Sequence, residues 1–192
     1  MEFSFEGNRI VFDRQLSNLD LFVQSFVDVL DSSGIRYVIV SGYVSILFGR
    51  SRETEDVDLF MESVSFKQFS QFWETLSSQF ECINAGSAQE AFREYLSNHA
   101  ALRFAQRGSF IPNMEVKFPK NDLDGYTLKN RLEVVLNGKP LFVSPLELQI
   151  AFKLFSGFRK RYGGRLAFVA FVQGLPGFGT VKRNGGLIGC IR

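Results

Sequence analysis

VIVSGYVSILFGRSRETEDVDLFME, residues 38–62, is the stretch of sequence that determines the fold. Its apolar, β-branched beginning predicts a buried strand that ends at Gly42. Residues 43–49 then predict a short helix, and residues 50–55 a charged loop. Residues 56–62 predict a second strand, so this stretch is expected to fold as strand, helix and strand.

The rest of the chain continues this alternation of strands and helices. Residues 3–12 predict a short strand or an extended arm, and Asn137-Gly138 predicts the turn of a hairpin. Periodicity and capping residues predict helices over 18–33, 65–80, 88–100 and 145–157, and strands over 101–108 and 113–120. The expected class is α/β or α+β, with a small mixed β-sheet flanked by helices.

Asp56 and Asp58 are the strongest chemical signal in the sequence. Residues at i and i+2 of a strand share one face, so the two carboxylates project together, about 7 Å apart along the backbone. Val57 and Leu59 then point into the core. Two neighbouring carboxylates repel each other, and hard oxygen ligands open to water suit Mg²⁺ bound together with phosphate groups. The pair therefore predicts a magnesium site.

Phosphate-binding residues are predicted on both sides of the short helix. Ser41 and Gly42 lie where a buried strand meets a helix, a place where backbone N–H groups bind anions and glycine permits close approach. Arg50 and Arg52, in the loop before Asp56, would clamp further phosphate oxygens. Metal and phosphate would then be neighbours, as phosphoryl transfer requires.

A third element is the strand sequence MEVKF, residues 114–118. Glu115 and Lys117 share one strand face, so Glu115 would complete a carboxylate triad and Lys117 would meet phosphate charge. Each motif also has an ordinary structural interpretation. An Asp-x-Asp pair alone is commonly a solvated strand face, and a Glu-x-Lys pair is commonly a surface ion pair. Their order along one chain favours the functional interpretation.

In this order the residues resemble the signature of the polymerase-beta-like nucleotidyltransferase superfamily. That signature is matched by Val40-Ser41-Gly42, Asp56-Val57-Asp58-Leu59 and Met114-Glu115-Val116. The resemblance covers about residues 35–157 and departs from the superfamily at Ser41, where a glycine is usual.

Within the superfamily the chain resembles the small prokaryotic branch that includes the abortive-infection, type IV toxin nucleotidyltransferases. The loop pattern G-x-x-R-x-T-x-D-h-D of that branch is matched by Gly49, Arg52, Thr54, Asp56 and Asp58. That branch also has a lysine in a helix after the sheet, which Lys153 resembles.

The resemblance implies Mg²⁺-dependent transfer of a nucleoside monophosphate from a nucleoside triphosphate to a hydroxyl group of RNA or tRNA, a protein or a small molecule. It also implies a cognate antitoxin protein as a partner. Asp56 and Asp58 would ligate magnesium, and Glu115 would share a metal or activate the attacking hydroxyl. The implied nucleotide-binding residues are Ser41, Gly42, Arg50, Arg52, Thr54, Lys117 and Lys153.

The composition changes after residue 157. Residues 158–192 contain seven Lys or Arg, no Asp or Glu, and eight of the 17 glycines. We therefore predict a nucleotidyltransferase-like domain over 1–157 and a basic, Gly-rich tail over 158–192. One interpretation of the tail is a nucleic-acid-binding arm. The other is a frameshift, because codons exist for residues 158–164 that read SEKDTED after a one-base shift; catalysis by this chain would then be weak or absent.

Several other classes of protein lack support in the sequence. No apolar run reaches the roughly 18 residues of a transmembrane helix, and the first residues show no secretory signal. Cys82 and Cys190 are isolated, and the single histidine, His99, predicts a surface or helix-end role. The expectation is a cytoplasmic protein with no membrane partner. The alternatives to an active transferase are an inactive nucleotide-binding module of the same fold and a nucleic-acid-binding protein acting through the tail.

Overall fold

The computed structural model of the chain describes residues 3–6, 9–50, 54–149, 178–183 and 186–191. The chain divides into two compact units, Met1–Ser144 and Pro145–Arg192. The first unit begins with β1 (Phe3–Glu6), β2 (Arg9–Phe12), α1 (Asn18–Ser32), β3 (Tyr37–Ile39), α2 (Gly42–Leu47) and β4 (Asp56–Met61). It continues with α3 (Phe66–Leu76), β5 (Phe80–Cys82), α4 (Ala88–Glu90), β6 (Leu102–Gln106), β7 (Asn113–Lys117), α5 (Asp122–Lys129), β8 (Leu132–Leu136) and β9 (Lys139–Val143).

These strands form one mixed sheet in the order β1-β2-β8-β9-β3-β4-β7-β6-β5. Strand β4 pairs antiparallel with β3 and parallel with β7. The parallel register sets Asp56 opposite Asn113 and Asp58 opposite Glu115. The predicted fold class, a mixed sheet flanked by helices, is confirmed.

The helices pack through a core rich in phenylalanine. Phe26 of α1 lies with its ring centroid 6.2 Å from that of Phe72 in α3, 5.2 Å from Phe80 and 5.7 Å from Phe104. Edge-to-face and tilted pairs of this kind add to the stabilisation that burial alone provides. The aromatic cluster therefore fixes α1 and α3 against the β5–β6 side of the sheet.

Helix α1 begins with a capping box that also ties it to α2. Ser17 accepts a hydrogen bond from the backbone N–H of Asp20, and the Asp20 carboxylate accepts one from the backbone N–H of Ser17. Asp20 is fully buried, where it also accepts two 2.8 Å hydrogen bonds from Arg14 and one of 2.8 Å from the Tyr43 hydroxyl. Because Tyr43 belongs to α2, this network fixes the position of α2 beside β4.

Most predicted elements are present, with shorter bounds. The 18–33 helix ends at Ser32, and the Asn137-Gly138 turn has φ of 51° and 80° at its two residues, as a type I′ hairpin requires. Residues 3–12 form two paired strands rather than one. The predicted 65–80 helix ends earlier, at Leu76, so that Phe80–Cys82 pairs with β6 as strand β5.

Two further helical segments differ in detail from the prediction. The 88–100 helix is α4 followed by a π-helical turn (Ala91–Tyr95) and a 3-10 turn (Leu96–Asn98). His99 is exposed at its end, with φ of 56°, which agrees with the expected helix-end role. Helix α5 was not predicted, because its apolar stripe is weak, although Asn121 caps it and two acids occupy its first turn.

The second unit is described in part. Residues 146–149 are helical, as expected for the start of the 145–157 helix. The rest of that helix, including Lys153, and the predicted boundary at residue 157 lie outside the described residues. Within the predicted tail, β10 (Phe178–Arg183) and β11 (Gly186–Ile191) form an antiparallel pair. Among the described residues, no helix is both long and apolar enough to cross a bilayer.

Candidate active site

The face of β4 that carries Asp56 and Asp58 is the centre of the candidate site. Asp56 is exposed and Asp58 is half-buried, whereas Val57 and Leu59 on the opposite face are fully buried. The predicted alternation is therefore confirmed, and both carboxylates stand on one side of the sheet.

The start of α2 meets this face through Thr54. The Thr54 hydroxyl lies 2.9 Å from the carbonyl oxygen and 3.2 Å from carboxylate Oδ1 of Asp56. A Cβ added to Gly42 would lie 3.7 Å from Thr54 Oγ1, so these two residues are neighbours. The Val40 N–H donates to the Asp58 carbonyl at 2.9 Å, which holds the end of β3 beside β4. The predicted proximity of Gly42 to the aspartates is thus observed.

Ser41 connects β3 to α2 in an unusual backbone conformation. Its φ is 64° and its ψ is −123°, a region that favours glycine. The Ser41 side chain makes no capping hydrogen bond to α2. A side-chain cap therefore does not account for this conformation.

Strand β7 adds a chain of charges to the same face. Lys117 Nζ lies 3.3 Å from Asp58 Oδ1 and 3.1 Å from Glu115 Oε2. Glu115 Oε1 lies 2.6 Å from the Arg103 guanidinium, which reaches it from β6. Glu115 is buried, at 8% relative exposure, so its carboxylate depends on these two cations for compensation.

The pKa shifts follow from this chain. Burial by itself raises the pKa of the Glu115 carboxyl, but hydrogen bonds and charge from Lys117 and Arg103 outweigh burial and lower that pKa below its usual range. Burial by itself lowers the pKa of Lys117, but Glu115 and Asp58 outweigh it and raise that pKa. Glu115 is therefore a carboxylate, and Lys117 an ammonium, at neutral pH.

Comparison with known proteins identifies the fold. No family model matches the chain, and no curated protein matches it by sequence. Among solved structures, the chain is similar to an antigenic nucleotidyltransferase-like protein from Paracoccidioides brasiliensis, with 23% identity and a TM-score of 0.51 over 82% of this chain and 74% of that chain. The chain has a nucleotidyltransferase-like fold. At this identity the likeness establishes the fold, and the abortive-infection branch stays a prediction.

The nucleotidyltransferase-like fold raises the question of whether these acids suit a metal. Asp56 and Asp58 supply oxygen atoms of the kind that Mg²⁺ prefers. Among the described residues, however, no group of three or more His, Cys, Asp or Glu is arranged to hold a metal ion. Glu115 is instead turned towards Arg103 and Lys117. Binding of a divalent cation by the aspartate pair stays a prediction, whereas the predicted three-carboxylate arrangement is not formed among the described residues.

The remaining predicted residues divide into two groups. Arg50 is exposed at the start of the loop, and its contact with phosphate stays a prediction. Arg52 and Lys153 lie outside the described residues.

Two residues of this face were not predicted from the sequence. Arg103 was assigned only to a strand, because nothing local shows that it pairs with Glu115 across β6 and β7. Asn113 is buried opposite Asp56; its Nδ2 donates to the Glu55 carbonyl at 3.2 Å, and within the described part of the chain its Oδ1 has no partner.

Proposed function

We propose that this chain is a nucleotidyltransferase that moves a nucleoside monophosphate from a nucleoside triphosphate to a hydroxyl acceptor. The observation that carries the proposal is the shared face of β4 and β7. There Asp56 and Asp58 stand beside Glu115 and Lys117, next to the start of α2. Carboxylates that can bind a cation and an ammonium that can meet phosphate are the groups that phosphoryl transfer uses.

Each residue has a role in this scheme. Asp56 and Asp58 would hold Mg²⁺, which when bound neutralises phosphate charge and orients the α-phosphate. The Thr54 hydroxyl orients the Asp56 carboxylate, and Lys117 attracts the anionic triphosphate. In the reaction, the acceptor oxygen forms a bond to the α-phosphorus. The bond between the α-phosphorus and the oxygen that bridges the α- and β-phosphates breaks, and pyrophosphate leaves with that oxygen. The acceptor proton passes to a carboxylate of this face.

The finer parts of the proposal rest on the sequence resemblance. The triphosphate donor, such as ATP, would also contact Ser41, Gly42, Arg50, Arg52 and Lys153. We take RNA, and tRNA in particular, as the first acceptor to test, with a cognate antitoxin as the protein partner and the cytoplasm as the location.

The test is label transfer from each of the four α-³²P-labelled nucleoside triphosphates, with Mg²⁺, to total RNA and to protein. Transfer is expected with the wild-type chain and is expected to disappear in Asp56→Asn and Asp58→Asn. Asp28→Asn is the matched control, because Asp28 forms a surface ion pair with Lys139 away from β4. Transfer at the wild-type rate by both site variants would refute the proposal.

A second candidate function is nucleotide binding without turnover. It is favoured by the ion pairs that occupy Glu115 and by the strained Ser41 in a position where the superfamily has glycine. In that case a triphosphate with Mg²⁺ would raise the melting temperature of the protein, and Asp58→Asn would abolish the increase. No label would be transferred to RNA or protein.

A further inference from the structure

We infer that this site takes a single divalent cation, on Asp56 and Asp58, and that Glu115 is a positioning residue for Lys117 rather than a metal ligand. The inference rests on the proposed function and concerns the metal content of the same site. It departs from the three-carboxylate arrangement that the sequence resemblance implies. Its basis is the position of the Lys117 ammonium, which stands where a cation shared by Asp58 and Glu115 would stand.

The first argument is competition between cations. Lys117 Nζ lies 3.3 Å from Asp58 and 3.1 Å from Glu115, so the two carboxylates already share a positive charge. Mg²⁺ bound between them would need oxygen atoms at about 2.0–2.1 Å in octahedral geometry. A dication placed there would also lie next to the ammonium, and like charges at such distances repel strongly.

The second argument is that both Glu115 oxygens are engaged. Oε2 accepts from Lys117, and Oε1 accepts from Arg103 at 2.6 Å. A short, charge-assisted contact of this kind is among the stronger hydrogen bonds. Turning the buried Glu115 carboxylate towards a metal would break both hydrogen bonds and leave Arg103 and Lys117 without this partner. Glu115 thereby holds Lys117 in place beside Asp58.

The aspartate pair, by contrast, has fewer partners among the residues that the structure describes. Asp56 is exposed, and among the described residues the hydrogen-bond partner of its carboxylate is the Thr54 hydroxyl, at 3.2 Å. Asp58 Oδ1 accepts a hydrogen bond from Lys117, and within the described ranges Asp58 Oδ2 has no hydrogen-bond partner. The three carboxylates of Asp56, Asp58 and Glu115 outnumber the two cationic side chains, which are those of Lys117 and Arg103. These groups therefore have a small net negative charge, and one dication more than balances it.

The test is titration of the full chain with Mn²⁺, followed by the electron paramagnetic resonance signal of free Mn²⁺, with and without a non-hydrolysable triphosphate. One bound Mn²⁺ per chain is expected in the absence of nucleotide. Asp58→Asn should weaken binding by about tenfold or more, because affinity depends on the number of ligand charges, whereas Glu115→Gln should change it by less than about threefold. Glu133→Gln, which removes a carboxylate from a strand ion pair on β8, is the matched control.

Glu115→Gln should instead raise the KM for the triphosphate, since Lys117 loses the partner that holds it. Circular dichroism checks whether Glu115→Gln folds. If it does not, Lys117→Met is the second variant that tests the inference. Removing the competing ammonium should tighten Mn²⁺ binding.

Binding of two Mn²⁺, weaker binding in Lys117→Met, or equal losses in Glu115→Gln and Asp58→Asn would each overturn the single-cation inference. These results would leave the proposed function standing. Absence of Mn²⁺ binding by the wild-type chain, even with nucleotide, would overturn both.

Discussion

Replacing Ser41 with glycine should stabilise the protein. Ser41 has φ of 64° and ψ of −123°, and its side chain makes no capping hydrogen bond to α2. The substitution therefore removes a strained conformation and loses no helix cap. It also tests whether the fold, rather than the side chain, imposes this turn.

The magnitude follows from two opposing terms. A non-glycine residue in such a region costs about 1–3 kcal/mol. Glycine loses more backbone entropy on folding, which takes back about 0.4–1 kcal/mol. The net gain is about 1 kcal/mol in the free energy of unfolding. For a chain of this size, that gain corresponds to a rise in melting temperature of about 2–4 °C.

Urea unfolding of the purified chain, followed by circular dichroism, measures this gain as a higher midpoint with an unchanged m value. Ser41→Ala is the first control, because alanine keeps a Cβ and with it the strain, so little stabilisation is expected. Ser70→Gly, in the middle of α3, is the second control and should lose about 0.5 kcal/mol. A Ser41→Gly midpoint at or below that of the wild type would refute the assignment of strain to this residue.

Three further predictions concern the neighbouring elements. Gly42→Ala should fold normally, because the new Cβ meets Thr54 Oγ1 at an ordinary 3.7 Å, yet it should weaken triphosphate binding in a calorimetric titration. Asp20→Asn should lower the free energy of unfolding by about 3 kcal/mol, measured in urea, because it leaves the half-buried Arg14 without its counter-charge. Burial raises the pKa of the Asp20 carboxyl, but hydrogen bonds from Arg14 and Ser17 outweigh burial and lower it, so its contribution to stability should be lost as pH falls below about 4.

Each of these predictions has a contradicting result. Unchanged triphosphate affinity in Gly42→Ala would show that phosphate does not approach this backbone. Loss of less than about 1 kcal/mol in Asp20→Asn would mean that the buried network does not hold α1 and α2 together. An identical fall in stability with acid in wild type and Asp20→Asn would assign that fall to other carboxylates.

Local sequence signals predicted much of the fold correctly. Ser17 and Ser65 cap two of the predicted helices, where the sequence allowed Ser17 or Asn18 and Ser65 or Ser63. A serine followed by a polar residue at N3 satisfies backbone N–H groups within one turn. Asn137 and Gly138 form the predicted hairpin turn, because few other pairs adopt positive φ at both positions. These features depend only on residues close together in the chain.

Features that depend on distant residues were predicted less well. The predicted helix extended to residue 80 and so included Phe80, the first residue of strand β5, because only pairing with β6 makes Phe80–Cys82 extended. Glu115 was predicted beside the aspartates, but its partner Arg103 was not, since strand registers are invisible in a single sequence. Because the Arg103–Glu115 pair was not predicted, the sequence also gave no sign that Lys117 competes with a metal for Glu115.

The sequence alone determined that Asp56 and Asp58 share one strand face, since side chains alternate along any extended backbone whatever surrounds it. It also determined the adjoining turn, helix and hairpin, which local geometry specifies. Only the tertiary structure decided which groups face the aspartates. The parallel register of β4 and β7 sets Glu115 opposite Asp58 and brings in Lys117, and packing of β6 beside β7 turns Glu115 towards Arg103. Such contacts arise from pairing between segments far apart in the chain, which no local pattern encodes.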